Sequence, residues 1–65
     1  MVYADSPKFH EKYYSMYDKN VRVTFKDGSE RVGLFNDEFY EDSSILVSCD
    51  VVKIADIDKI ELAED

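Results

Sequence analysis

The stretch Val21-Arg22-Val23-Thr24-Phe25-Lys26-Asp27-Gly28-Ser29-Glu30-Arg31-Val32-Gly33-Leu34 decides the fold class. Val21, Val23 and Phe25 alternate with Arg22, Thr24 and Lys26, the period-two pattern of a strand with one face buried. Asp27-Gly28 then supplies the dipeptide best suited to a two-residue hairpin turn of type I′. Such a turn sets Val21 opposite Leu34, Val23 opposite Val32 and Phe25 opposite Glu30, so one side of the ribbon is apolar except at its tip. The other side collects Arg22, Thr24, Lys26, Ser29, Arg31 and Gly33. Gly33 weakens a flat strand but suits a sharp bend where a small sheet curls, and such a bend turns Phe35 inward.

Upstream, Ser6-Pro7 is a good helix start, with Ser at the N-cap and Pro at the first helical position. Phe9, Tyr13, Met16 and Tyr17 recur at i, i+4, i+7 and i+8, predicting an amphipathic helix over about residues 7–18. Asn20 supplies the left-handed stop. Twelve residues scarcely hold a helix in water, so the aromatic stripe must dock on a core. Downstream, Asn36 to Ser44 carries four acids and two aromatics without periodicity and reads as an exposed loop. Ile45–Cys49 reads as a third strand, Asp50 as a turn and Val51–Ile54 as a fourth strand. Ala55-Asp56-Ile57 then makes a tight turn before a fifth strand at Lys59–Leu62.

The 65 residues suffice for one domain, 1–65, with its barrel over about 21–62. Val, Ile, Leu and Phe number 18, enough for the chain to fold alone. No apolar run reaches the length of a membrane span, and Met1–Asp5 lacks the basic and apolar regions of a signal peptide. With Cys49 as the single cysteine, cytoplasmic residence is the expectation, and Cys49 itself reads as a small core residue of the third strand.

A helix followed by five short strands, one of them strongly bent, is the pattern of a mainly β SH3-like barrel and of its Sm-like variant. The chain resembles the bacterial Sm-like proteins in its N-terminal helix, in Val21-x-Val23-x-Phe25-x-Asp27-Gly28 and in Gly33 beyond. Val52-Lys53-Ile54-Ala55-Asp56-Ile57 through Ile60 is similar to the closing strands of such barrels, including the C-terminal domain of the ribosome maturation factor P family. The resemblance implies an RNA site made by a loop acid, an Asn four residues later, and an Arg-Gly or Lys-His pair further on. Here Asp37 is followed four residues later by Glu41, the second segment reads Val47-Ser48-Cys49-Asp50-Val51, and Ile54 follows Lys53. The residues implied for RNA binding are therefore missing.

Charge points the same way. The net charge is −7, and residues 36–65 hold ten of the 15 acids against two basic residues. That half repels phosphate backbones and favours basic proteins. His10 is the sole histidine and reads as solvent-facing. With no second His, no Cys beside it and no nucleophile elbow, neither a zinc site nor a catalytic triad is expected. No cofactor or metal is expected either, since the acids of the 36–44 loop lack a calcium-binding framework.

The sequence thus predicts a non-catalytic interaction module. It would engage a basic protein or peptide segment through Asp37, Glu38, Phe39, Tyr40, Glu41 and Asp42, carboxylates around rings being complementary to Arg and Lys. Because exposed charges add little to folding, these acids are expected to be dispensable for the fold. One rival is an Sm-like RNA-binding protein using Arg22, Lys26 and Arg31 as its basic strip. A second is an acidic mimic of nucleic acid that occupies the channel of a basic enzyme. A homo-oligomer is compatible with all three.

Overall fold

The computed structural model describes residues 1–63, so the last two residues of the expected domain, Glu64 and Asp65, lie outside the described residues. The chain runs through β1 (Val2–Tyr3), α1 (Phe9–Tyr14), β2 (Asn20–Phe25), β3 (Glu30–Phe39), β4 (Ser44–Val47), β5 (Asp50–Lys53) and β6 (Ile57–Leu62). Single 3-10 turns at Tyr40–Asp42 and Ile54–Asp56 precede β4 and β6. The six strands form one antiparallel sheet in the order β1-β6-β2-β3-β4-β5. Fold class is therefore mainly β with one short helix, as the alternation around Val21 indicates. The strand count is one higher than expected, because Val2–Tyr3 pairs with Lys59–Ile60 along the outer edge of β6.

The hairpin forms where expected but in a different register. Phe25 N–H donates to Ser29 O at 2.8 Å, and Gly28 N–H donates to Phe25 O at 3.0 Å, enclosing the three-residue loop Lys26-Asp27-Gly28. Gly28 holds the positive φ of 93° that this loop type needs after its first turn. Asp27 Oδ1 accepts from the Ser29 amide at 2.9 Å and from its hydroxyl at 2.6 Å, which lowers the Asp27 pKa and favours the longer loop. The extra loop residue slips the pairing by one, to Val21↔Gly33, Arg22↔Val32 and Val23↔Arg31. A one-residue slip reverses faces. Val32 accordingly lies beside Arg22 and is 56% exposed, whereas the expected apolar ribbon would bury it.

β3 is one ten-residue strand whose first half pairs with β2 and whose second half pairs with β4. The register shift between Phe35 and Asp37 marks a bulge at Asn36, and the strand bends through Gly33 to Asn36. A Cβ on Gly33 would fall on the Ser48 hydroxyl, so glycine is needed here for close approach rather than for an unusual φ. Phe35 points fully inward, as expected.

The helix is shorter than the expected 7–18. β1 holds the chain on the sheet, and Ser6 N–H donates back to Tyr3 O at 3.0 Å, so Ser6-Pro7 belong to a turn. Lys8, in the left-handed region at φ 61°, stands at the N-cap. At the other end Asp18 (φ 65°) stops the helical turns two residues before Asn20. The Asp18 amide donates to Phe35 O at 2.9 Å and the Phe35 amide donates to Lys19 O at 3.0 Å, so the sheet takes the backbone away from the helix.

The core is Tyr13 and Met16 from the helical segment with Val21, Val23, Phe35, Ile45, Val47, Val52, Ile57 and Ile60 from the sheet. Tyr17, expected within the buried stripe, is exposed. The third and fourth strands occupy 44–47 and 50–53, and the turn between them is Ser48-Cys49 rather than Asp50. Cys49 is consequently exposed instead of buried.

Candidate functional site

The expected loop at Asn36–Ser44 is replaced by ordered structure: Asn36–Phe39 complete β3, Tyr40–Asp42 form the 3-10 turn and Ser44 opens β4. This divides the six predicted partner-binding residues. Asp37, Phe39, Tyr40, Glu41 and Asp42 are exposed, while Glu38 is turned towards α1 with its side chain only 10% exposed. Asp37 Oδ1 accepts from the Glu38 amide at 2.7 Å, a local bond that stiffens the strand end.

Glu38 meets two donors from α1. Tyr13, whose ring packs on Phe9 at 4.7 Å and Phe35 at 5.9 Å, donates its buried hydroxyl to Glu38 Oε2. His10 Nε2 lies 2.8 Å from Glu38 Oε1. Burial, and then the neighbouring Glu38 carboxylate through its hydrogen bond and charge, push the Tyr13 phenol far above its ordinary range. The phenol therefore stays protonated and donating. This is a fastener between helix and strand, with both carboxylate oxygens engaged. It corrects the expectation that His10 merely faces solvent, and it withdraws Glu38 from the freely exposed acids.

The fastener also organises the rings around it. His10 stacks on Tyr14 with centroids 5.6 Å apart and packs against Tyr40 at 4.9 Å. Tyr14 stacks on Tyr17 at 5.5 Å with the planes 14° apart, and Tyr17 meets the buried Phe35 edge-on at 5.5 Å. The result is an outer ledge running Tyr17, Tyr14, His10, Tyr40, supported from below by Phe35 and Tyr13. Tyr40 at its end is 66% exposed. Glu41 and Asp42 follow directly in the 3-10 turn, and among the described residues neither forms an ion pair.

The basic strip fares differently. The slipped register puts Arg31 opposite Val23 and Arg22 opposite Val32, on opposite faces of the ribbon. Arg22 lies 3.7 Å from Glu61 and 4.0 Å from Glu30, and Arg31 pairs with Asp50. Lys26 sits in the hairpin loop, its amide donating to Asp56 O at 2.9 Å. The three cations do not share one surface. Among the described residues no three His, Cys, Asp or Glu side chains gather as metal ligands, and no helix is long and apolar enough to cross a membrane.

Sequence reasoning places Tyr40, Glu41 and Asp42 on the surface but misses Tyr14, Tyr17 and His10 as their neighbours. The available signal was the helical spacing of His10, Tyr14 and Tyr17; what it lacked was the partner on β3. No family model matches the chain, and neither a curated protein nor a solved structure matches it.

Proposed function

We propose that this chain is a small non-catalytic binding module of the SH3-like, Sm-like barrel type, which takes a basic protein segment on the ledge of Tyr17, Tyr14, His10 and Tyr40. The barrel reading is supported by the succession β6-β2-β3-β4-β5 in the sheet, by the strongly bent β3 and by the 3-10 turn before the last strand. The observation that carries the binding reading is the ledge itself: stacked, solvent-facing rings beside Glu41 and Asp42 in a chain of net charge −7. An Arg or Lys laid on such rings gains about 0.5–2 kcal/mol per contact from the ring quadrupole, and free carboxylates alongside steer it in. RNA binding has less support, because Arg22 and Arg31 are separated and paired with acids. The acidic-mimic reading rests on net charge alone and leaves the rings without a role. Cytoplasmic residence fits the exposed single thiol of Cys49.

The test is a titration with a panel of defined peptides bearing Arg and Lys, at low and high salt. Binding that is lost with Tyr40→Ala through faster dissociation, and slowed in association by Glu41→Gln with Asp42→Asn, is the expected result. A panel that binds the wild type and the Tyr40→Ala variant equally would overturn the reading.

A further inference from the structure

We infer that two copies of this chain join edge to edge through β5, as an antiparallel two-fold dimer separate from the aromatic ledge. β5 is the last strand of the sheet, so one of its edges has no neighbour. Which backbone groups lie there follows from the pairing with β4. Val47↔Asp50 closes the Ser48-Cys49 turn, Ile45 faces Val52, and Ile54 N–H donates to Ser43 O at 2.9 Å. The backbone groups of Asp50, Val52 and Ile54 therefore face β4, and those of Val51 and Lys53 face outward. A hydrogen-bonding edge of this kind is a template for another strand. Val51 on this strand is 61% exposed, a large apolar side chain left in water.

Local charge balance along β5 admits a second copy of this acidic chain as the occupant. Two molecules of net charge −7 repel unless they meet where the local charge cancels. The cleft along β5 is such a place, lined by Phe25, Val51 and Val52 with Arg31 and Lys53 balanced against Asp50 and Asp56. Symmetry then sets the register. A two-fold axis normal to the sheet keeps the inner faces on one side, so each residue must oppose one of its own face. Within β5 the register that uses both outward-facing residues places Val52 opposite Val52 of the partner subunit and Val51 opposite Lys53 of the partner subunit. The Lys53 stem then lies over Val51 while its ammonium reaches water. The assembly stops at two copies because the sheet's other edge is β1, a strand of only two residues, Val2–Tyr3, too short to template a further strand.

The contact is small, so the dimer should be concentration-dependent, with Kd between about 10 μM and about 1 mM. Sedimentation equilibrium across that range should show the mass rising from 7.6 kDa towards twice that value. Val51→Pro deletes an N–H that points away from β4, a placement proline tolerates at a sheet edge. It should hold the mass at the monomer value with the circular dichroism spectrum unchanged. If Val51→Pro does not fold, oxidation decides. Val52→Cys in a Cys49→Ser background should cross-link, because facing residues at such a position have Cα atoms about 4.5 Å apart, within disulfide reach. Val51→Cys in the same background should not. A wild type that stays monomeric at about 1 mM, a ring of higher mass, or cross-linking through position 51 in place of 52 overturns the inference. None of these results depends on whether the ledge binds peptides.

Discussion

Glu38 stands between Asp37 and Phe39 in a run of acids, yet the three neighbouring carboxylates at 37, 41 and 42 face solvent while this one fastens α1 to β3. Replacing all four acids is therefore not the neutral change that exposure alone would suggest. Asp37→Asn, Glu41→Gln and Asp42→Asn should leave the urea midpoint unchanged or slightly raised, since exposed charges contribute about 0–1 kcal/mol each. Glu38→Ala should lower stability by about 1–3 kcal/mol, the cost of leaving the buried Tyr13 hydroxyl without an acceptor. Equal midpoints for the two variants would show that the fastener contributes nothing. The same bond sets an alkaline limit. Tyr13 binds its proton more tightly folded than unfolded, so its contribution is complete below the unfolded phenol pKa of about 10 and is lost as pH rises beyond it. Urea midpoints should fall between pH 9.5 and 11.5, with Tyr13→Phe, which carries no titrating proton, falling less steeply.

At the level of elements, the β2–β3 hairpin depends on Gly28 because the third loop residue sits at φ 93°, in open space but in a conformation hostile to β-branched side chains. Gly28→Val should cost more than about 1 kcal/mol by chemical denaturation, and Gly28→Asn, which tolerates the left-handed region, markedly less. Gly33 fails for a different reason: Gly33→Ala puts a methyl group onto Ser48 and should destabilise, with Ser48→Gly in the same chain recovering part of the loss. The six-residue α1 has too few turns to persist alone, so its helicity should vanish together with the sheet signal in one transition. A separate, earlier loss of helical ellipticity would mean that Tyr13, Met16 and the Glu38 fastener do not anchor it.

Over the whole molecule the excess of acids acts on every part at once. The longest dimension is 28 Å, comparable with a Debye length of about 30 Å at 10 mM salt and far above the roughly 3 Å at 1 M. Added sodium chloride should therefore raise the thermal midpoint by screening the net charge of −7; a midpoint insensitive to salt would mean that the ion pairs of Arg22 and Arg31 offset the repulsion. The period-two run from Val21, the place of the hairpin turn around Asp27-Gly28 and the inward Phe35 were determined by the sequence itself, because alternation and turn-forming residues are written in neighbouring positions. The register was not: Asp27 and Ser29 favour a three-residue loop over a two-residue one, and that single residue reversed the faces of Val32 and Arg31. Nor was the inward turn of Glu38, whose donors lie 25 and 28 residues away in sequence on an element whose own ends were set by contact with the sheet. Periodicity reports which side of a segment is apolar. Which polar groups meet across the fold is decided only when distant segments pack, because the free energy of burying a carboxylate depends on donors that another element brings to it.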